Sequence, residues 1–281
     1  MSIALQVALV MVTILVVLLV IGAPIGVAIG MSSAVSMICM IPADVSFATS
    51  AQRIFAGSNS FSLIAIPFFI LAGNIMNNGG IATRLVNCAK VISGRMPGAL
   101  AQSNVVANML FGAISGSGAA AAAAMGGTIG PLEEKEGYDK NYSTAVNVAS
   151  APVGMLIPPS NTMIVYSSVA GSVSIAALFM AGYIPGLLWG GAVMILAGIM
   201  AKKRGYQAEQ RVPVKVALKT FWQAIPSLLL IVIVIGGILG GIFTATEGSA
   251  IAVVYATVLS LIYKAFKIKD IPRIVLEAAK T

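Results

Sequence analysis

The stretch ALAQSNVVANMLFGAISGSGAAAAAAMGGTIGPL, residues 99–132, followed at 145–166 by AVNVASAPVGMLIPPSNTMIVY, decides how the chain must fold. Residues 99–132 carry no charge, and as one straight helix they would run about 50 Å, against a hydrocarbon core of roughly 30 Å. The segment must therefore turn back. Ser115-Gly116-Ser117-Gly118 is the expected turn, because glycine accepts tight backbone geometry and serine satisfies nearby backbone groups. The arms, 99–114 and 119–132, are each short for a crossing, so the pair reads as a re-entrant hairpin. Residues 145–166 are long enough to cross but contain Pro152, Gly154, Pro158 and Pro159, and read as a broken helix.

Prolines donate no hydrogen bond, so Pro152, Pro158 and Pro159 leave the carbonyls of Val148, Gly154 and Met155 without their usual helical partners. Such carbonyls suit a hard cation. Together with the tip they form a candidate sodium site: Ser115, Gly116, Ser117, Pro152, Gly154 and Met155. A helix restarting at Ser160-Asn161-Thr162, and the second hairpin arm starting near Gly118, offer free N–H groups and capping side chains to an anion. Gly118, Ser160, Asn161 and Thr162 are therefore the candidate substrate residues. Irregular backbone at membrane depth is tolerated where protein buries it or it lines a cavity, and the combination marks sites in secondary transporters. The plainer reading is close packing by small residues, which suits 119–124 well. A polar tip facing a double proline and Ser-Asn-Thr argues beyond it.

The composition agrees: 58% hydrophobic and 9% charged residues among 281 describe a multispanning membrane protein. Cys39 and Cys88 lack metal-ligand spacing, and with no histidine in the chain neither a disulfide nor a transition-metal site is expected. The net charge of +8 sits in loops flanking apolar runs, which membrane topology explains better than nucleic acid. No basic segment precedes the first apolar run, so it reads as a retained span.

In order, the expected elements are spans at 3–21, 24–41 and 61–76, with a polar loop at 42–60. An amphipathic helix at 81–96 lies along the membrane surface, its apolar face formed by Ile81, Leu85, Cys88, Ala89, Ile92 and Met96. It either anchors the bundle or braces a moving part. After the hairpin come a charged loop at 133–142, the broken helix, and a span at 174–200. A basic cytoplasmic connector at 201–220 leads to spans at 221–243 and 247–263. Glu247 reads as a helix cap, and Trp189 and Trp222 as interfacial anchors.

Basic-residue asymmetry orients the chain. With 201–220 in the cytoplasm, only Arg53 of 17 basic residues falls outside, and the N-terminus is periplasmic. The full crossings before residue 201 are odd in number, so whatever repeats afterwards starts inverted. Residues 1–200 form the first repeat and 221–281 begin its inverted copy. Val20-Ile21-Gly22-Ala23-Pro24-Ile25-Gly26 recurs loosely as Val234-Ile235-Gly236-Gly237-Ile238-Leu239-Gly240.

The succession Ile21-Gly22-Ala23-Pro24-Ile25-Gly26, Ile66-Pro67-Phe68-Phe69-Ile70-Leu71-Ala72-Gly73, Gly112-Ala113-Ile114-Ser115-Gly116-Ser117, Leu156-Ile157-Pro158-Pro159-Ser160 and Phe243-Thr244-Ala245-Thr246-Glu247 resembles the large membrane subunit of tripartite ATP-independent periplasmic (TRAP) transporters. The resemblance covers essentially the whole chain. It implies an all-α polytopic membrane protein of inverted-repeat, elevator-type fold in the bacterial inner membrane. It also implies sodium-driven import of organic acids such as C4-dicarboxylates or sialic acid, delivered by a periplasmic binding protein, with a small membrane subunit as partner. Family members are longer, so this chain is expected to lack a C-terminal part carrying a second hairpin and broken helix.

The residues support sodium independently, since the acidic side chains lie in loops or at a span boundary rather than within spans. No cofactor besides the coupling ion is expected, and no nucleic acid. An intramembrane enzyme fails for want of histidine, paired aspartates or a metal cluster. A channel with a re-entrant loop, or a structural subunit, remains the alternative.

Overall fold

Apolar runs become helices throughout the residues that the computed structural model describes, 3–171, 173–206 and 213–281. The chain divides into two compact units, Met1–Ser60 and Phe61–Thr281, a boundary well before the 200/201 junction of the sequence reading.

In the first unit, α1 (Ile3–Val20) has no buried residue and turns its Leu and Val side chains outward, as a span facing lipid does. α2 (Ile25–Met37) packs against it. At 13 residues α2 is shorter than the span expected at 24–41, because Pro42 ends the approach and starts a new helix. The polar loop expected at 42–60 is that helix, α3 (Ala43–Ser58). The buried Ser46 hydroxyl donates to the Ala34 carbonyl at 2.7 Å and ties α3 to α2. Polar side chains spaced around a helix were mistaken for a loop.

The second unit begins with a short 3-10 turn, Phe61–Ile64, leading into α4 (Ala65–Asn78). α5 (Ile81–Ser93) follows, then the hairpin of α6 (Ala99–Ser115), α7 (Gly118–Thr128) and α8 (Gly130–Lys135). The broken segment comprises α9 (Lys140–Ser150), α10 (Val153–Leu156) and α11 (Asn161–Ala170), with the axis bending 47° between residues 156 and 161. α12 (Ile175–Lys203), α13 (Val214–Leu239), α14 (Ala245–Ile262) and α15 (Ile271–Lys280) complete it. Among the described residues, five helical stretches are long and apolar enough to cross a membrane, and the bent pair makes a sixth. The expected charged loop at 133–142 is instead a helix, a turn and the start of α9, and α13 begins within the expected connector, of which 207–212 lie outside the described residues.

Small residues let the helices approach. α4 packs along α14, with Ala65, Ala72, Ala252 and Ala256 fully buried. α5 lies between α6 and α13, which bury its Ile81, Leu85, Cys88 and Ala89. Val86 and Ala82 share that buried side, whereas Ile92 and Met96 of the expected apolar face are 59% and 40% exposed. The face therefore meets protein, which favours bracing over lipid anchoring. Thr244 and Glu247 form a reciprocal capping box at the start of α14: the Glu247 carboxylate accepts the Thr244 N–H at 2.7 Å.

Candidate functional site

The hairpin tip forms where α6 stops. Gly116 takes φ 61°, a left-handed conformation that suits glycine, and Ser117 is extended. Its hydroxyl accepts the Ala120 N–H at 3.3 Å and caps α7. The broken helix stops at Ile157, also extended, and restarts after Ser160, whose hydroxyl accepts the Met163 N–H at 3.4 Å. The same hydroxyl donates to the Met155 carbonyl at 2.5 Å, bridging the break.

Tip and break touch. Asn161 donates its backbone N–H to the Gly116 carbonyl at 3.3 Å and its side-chain amide to the Ser115 carbonyl at 3.4 Å. About one turn before the tip, Gly112 lies flat against Gly154: a Cβ on Gly112 would stand 2.2 Å from the Gly154 Cα. On the other arm, a Cβ on Gly118 would come within 3.2 Å of the Ala151 carbonyl and 3.0 Å of the Met155 sulfur. Three glycines thus let backbone meet backbone where side chains would hold it apart.

The candidate residues fall into two groups. Ser115, Gly116, Ser160 and Asn161 converge at the contact just described, with Met155 attached through Ser160 and Gly118 beside it. The Pro152 carbonyl accepts the Met155 N–H at 2.9 Å and the Met155 carbonyl accepts Ser160, so each has one lone pair engaged and one left for a further donor or cation. Gly154 faces Gly112 rather than the tip, and Thr162 is exposed. Ser115 and Ser117 also line a cavity of about 250 Å³ that opens toward α4, where Gly73, Asn74 and Asn77 form the facing wall.

Sequence reasoning missed what holds the break open to the hairpin. The buried Asn108 amide donates to the Asn147 side-chain oxygen at 3.0 Å and to the Ser150 hydroxyl at 2.7 Å. Asn147 in turn donates to the Ala122 carbonyl at 2.9 Å, so both arms grip α9. Two asparagines a turn apart in an apolar helix, Asn104 and Asn108, were the available signal. Trp189, read as an interfacial anchor, donates its indole N–H to the Ala149 carbonyl at 2.9 Å. It thereby satisfies a carbonyl at the very end of α9.

The far end of the broken helix is latched. Asp139 caps α9 by accepting the Tyr142 N–H at 2.9 Å and pairs with Arg204 at 2.9 Å. These contacts, the Tyr142 N–H first and the guanidinium second, hold its carboxyl below the usual range. Tyr206 accepts the Asp139 N–H at 2.8 Å and stacks on Tyr138 with ring centroids 4.3 Å apart.

No charged side chain occurs in residues 99–132 or 143–201, so hairpin and break are built from neutral oxygens, amides and helix ends. Such a set can accept a cation on its oxygens and an anion on the N-termini of α7 and α11.

Comparison with known sequences agrees with this architecture. Residues 12–281 match the family described as "Tripartite ATP-independent periplasmic transporter, DctM component". The protein YgiK of Salmonella typhimurium is 51% identical over 89% of this chain and 58% of its own length. The C4-dicarboxylate TRAP transporter large permease protein DctM of Rhodobacter capsulatus is 38% identical over 82% of this chain and 56% of its own. The sialic acid TRAP transporter large permease protein SiaM of Vibrio cholerae is 38% identical over 83% and 54%. This chain therefore spans a little over half the length of these relatives.

Proposed function

Because the chain belongs to the tripartite ATP-independent periplasmic transporter family as its DctM component, we propose that it carries the ion and substrate site of a sodium-coupled importer of organic acids. The observation that carries this reading is the contact of Asn161 with Gly116 and Ser115, which brings two helix N-termini and the oxygens of a re-entrant tip to one uncharged place. A lone anion there would lose hydration without a counter-charge, and a sodium ion on the Ser115, Ser117, Pro152 and Met155 oxygens supplies one. That requirement couples the two.

The acid is of the C4-dicarboxylate or sialic acid type, the substrates named for two of its relatives. A periplasmic binding protein delivers it, and a small membrane subunit is the permease's partner in the inner membrane. Within this reading, α5, packed between α6 and α13, transmits support to the hairpin while the hairpin and broken helix move together as an elevator. As the family is one of transporters, no residue has a catalytic role.

The test is uptake in proteoliposomes holding the small subunit and a cognate binding protein. Two permeases are compared: this chain, and a chimera continuing it into the corresponding remainder of the Rhodobacter capsulatus relative. Labelled succinate or sialic acid should accumulate in the chimera only under an inward sodium gradient. Equal accumulation with choline in place of sodium would overturn the coupling, and no accumulation of any organic acid would overturn the substrate class.

A further inference from the structure

Glu133 is the carboxylate that the hairpin and the break do not use. It sits on α8, just after the second hairpin arm, and is 1% exposed. Among the described residues neither of its oxygens has a hydrogen-bond partner of normal geometry, and neither do the Ser143 hydroxyl or the Asn104 side-chain nitrogen. All three residues line one cavity of about 380 Å³, together with Tyr138, Lys140 and Asn147. The ion pairs among the described residues are Arg204–Asp139 and Arg273–Glu277, and neither involves Glu133.

A buried carboxylate without a donor is costly, so a site that leaves both oxygens unpartnered around open space is suited to a guest. We propose that Glu133 and the Ser143 hydroxyl bind a monovalent alkali cation in this cavity, water completing its shell. The donors are hard oxygens, which select alkali and alkaline-earth ions over transition metals. Glu133 is the one buried carboxylate of the lining, Glu134 being exposed, so it neutralises a monovalent ion, and a divalent ion would leave a net positive charge buried. Burial also pushes the Glu133 carboxyl up to about 7, opposed by the nearby Ser143 hydroxyl, the response of a group lacking a positive neighbour. The other charged or titratable groups around it are Glu134, Tyr138, Lys140 and Tyr142, and of these Glu134 and Lys140 are exposed.

The site is distinct from the hairpin tip and shares no residue with it. Its ligands come from α8 and α9, with Asn104 of α6 in the wall, so an ion there would join the end of the hairpin to the start of the broken helix.

The experiment is equilibrium binding of radioactive sodium to the purified 281-residue chain in detergent, at constant ionic strength made up with choline chloride. Unlabelled sodium and potassium serve as competitors to identify the preferred ion. Glu133→Gln, which keeps the shape of the side chain, should weaken one class of alkali-ion site by roughly tenfold or more. Ser143→Ala should weaken the same class by a smaller factor. Ser117→Ala should leave that class in place, so a failure of the tip reading is seen separately from a failure here. Unchanged ion binding in folded Glu133→Gln overturns the proposal. Should that variant not fold, unchanged binding in Ser143→Ala overturns it. Absence of any alkali-ion site in the unaltered chain that sodium or potassium competes for also overturns it.

Discussion

Asn161 and Gly116 are joined by a backbone hydrogen bond of 3.3 Å between two segments separated by the four helices α7 to α10. The bond makes the hairpin tip and the restart of the broken helix a single structure. Glycine suits this place twice over: Gly116 takes φ 61°, and a Cβ there would crowd the Pro159 carbonyl oxygen at 3.0 Å and the Asn161 nitrogen at 3.1 Å. Several expectations rest on this interlock.

Gly112→Ala should be among the most damaging of small substitutions. The new methyl would meet the Gly154 Cα at 2.2 Å, and backbone cannot rotate away as a side chain can. A loss of about 2–3 kcal/mol is expected, read as a fall in melting temperature in detergent. Gly127→Ala, whose Cβ meets nothing within 4 Å, is the control and should be neutral or slightly stabilising. Equal effects from both would remove the glycine interlock as a determinant of stability.

Asn108→Ala removes the donor shared by Asn147 and Ser150. Leaving the buried Ser150 oxygen and the half-buried Asn147 oxygen without this donor should cost about 1–3 kcal/mol. Trp189→Phe keeps a six-membered aromatic ring at this half-exposed position and removes the indole N–H that bonds the Ala149 carbonyl, for a smaller loss of about 1 kcal/mol. Chemical denaturation of the two variants should rank them in that order.

Ser117→Ala combines two effects. Losing the cap on α7 should cost about 0.5–2 kcal/mol of stability. If the tip binds sodium, the half-saturating sodium concentration should also rise, which a purely structural cap does not require. Titration of sodium-dependent stabilisation separates the effects, and an unchanged midpoint would take Ser117 out of the ion site.

Stability in the absence of alkali cations should fall as pH rises from about 4.5 to about 7, the span between the ordinary carboxyl value and the raised one of Glu133. Within that window the folded protein keeps a proton that the unfolded chain has lost. The deficit is then complete above the upper value, on the order of 3 kcal/mol. Glu133→Gln should flatten the profile. Melting temperatures in choline buffers across this range are the measurement, and parallel curves for both proteins would refute the assignment.

The orientation is open to labelling. With Cys39 and Cys88 replaced by serine, a cysteine at Lys203 should resist impermeant thiol reagents added to intact cells, because the basic cluster at 202–204 belongs in the cytoplasm. Ready modification from outside would invert the topology.

The all-helical, membrane-spanning character was legible from composition alone, because a bilayer admits helical backbone and little else across such apolar lengths. The turn at residues 115–118 and the stop before Ser160 were also legible, since glycine, proline and capping serines act through local backbone geometry. The helical nature of 42–60 and of 133–135 was not, because polarity there masked helices whose starts are set by Pro42 and Pro131. Which candidate residues meet was decided by tertiary structure. The contact of Asn161 with Gly116, the grip of Asn108 on Asn147 and the bond from Trp189 to Ala149 join positions 39 to 45 residues apart. The burial of Glu133 beside Ser143 was likewise invisible, since a charged residue in a charged stretch looks solvated. Local preference acts over a few residues, whereas the position of one backbone against another depends on how every intervening helix packs.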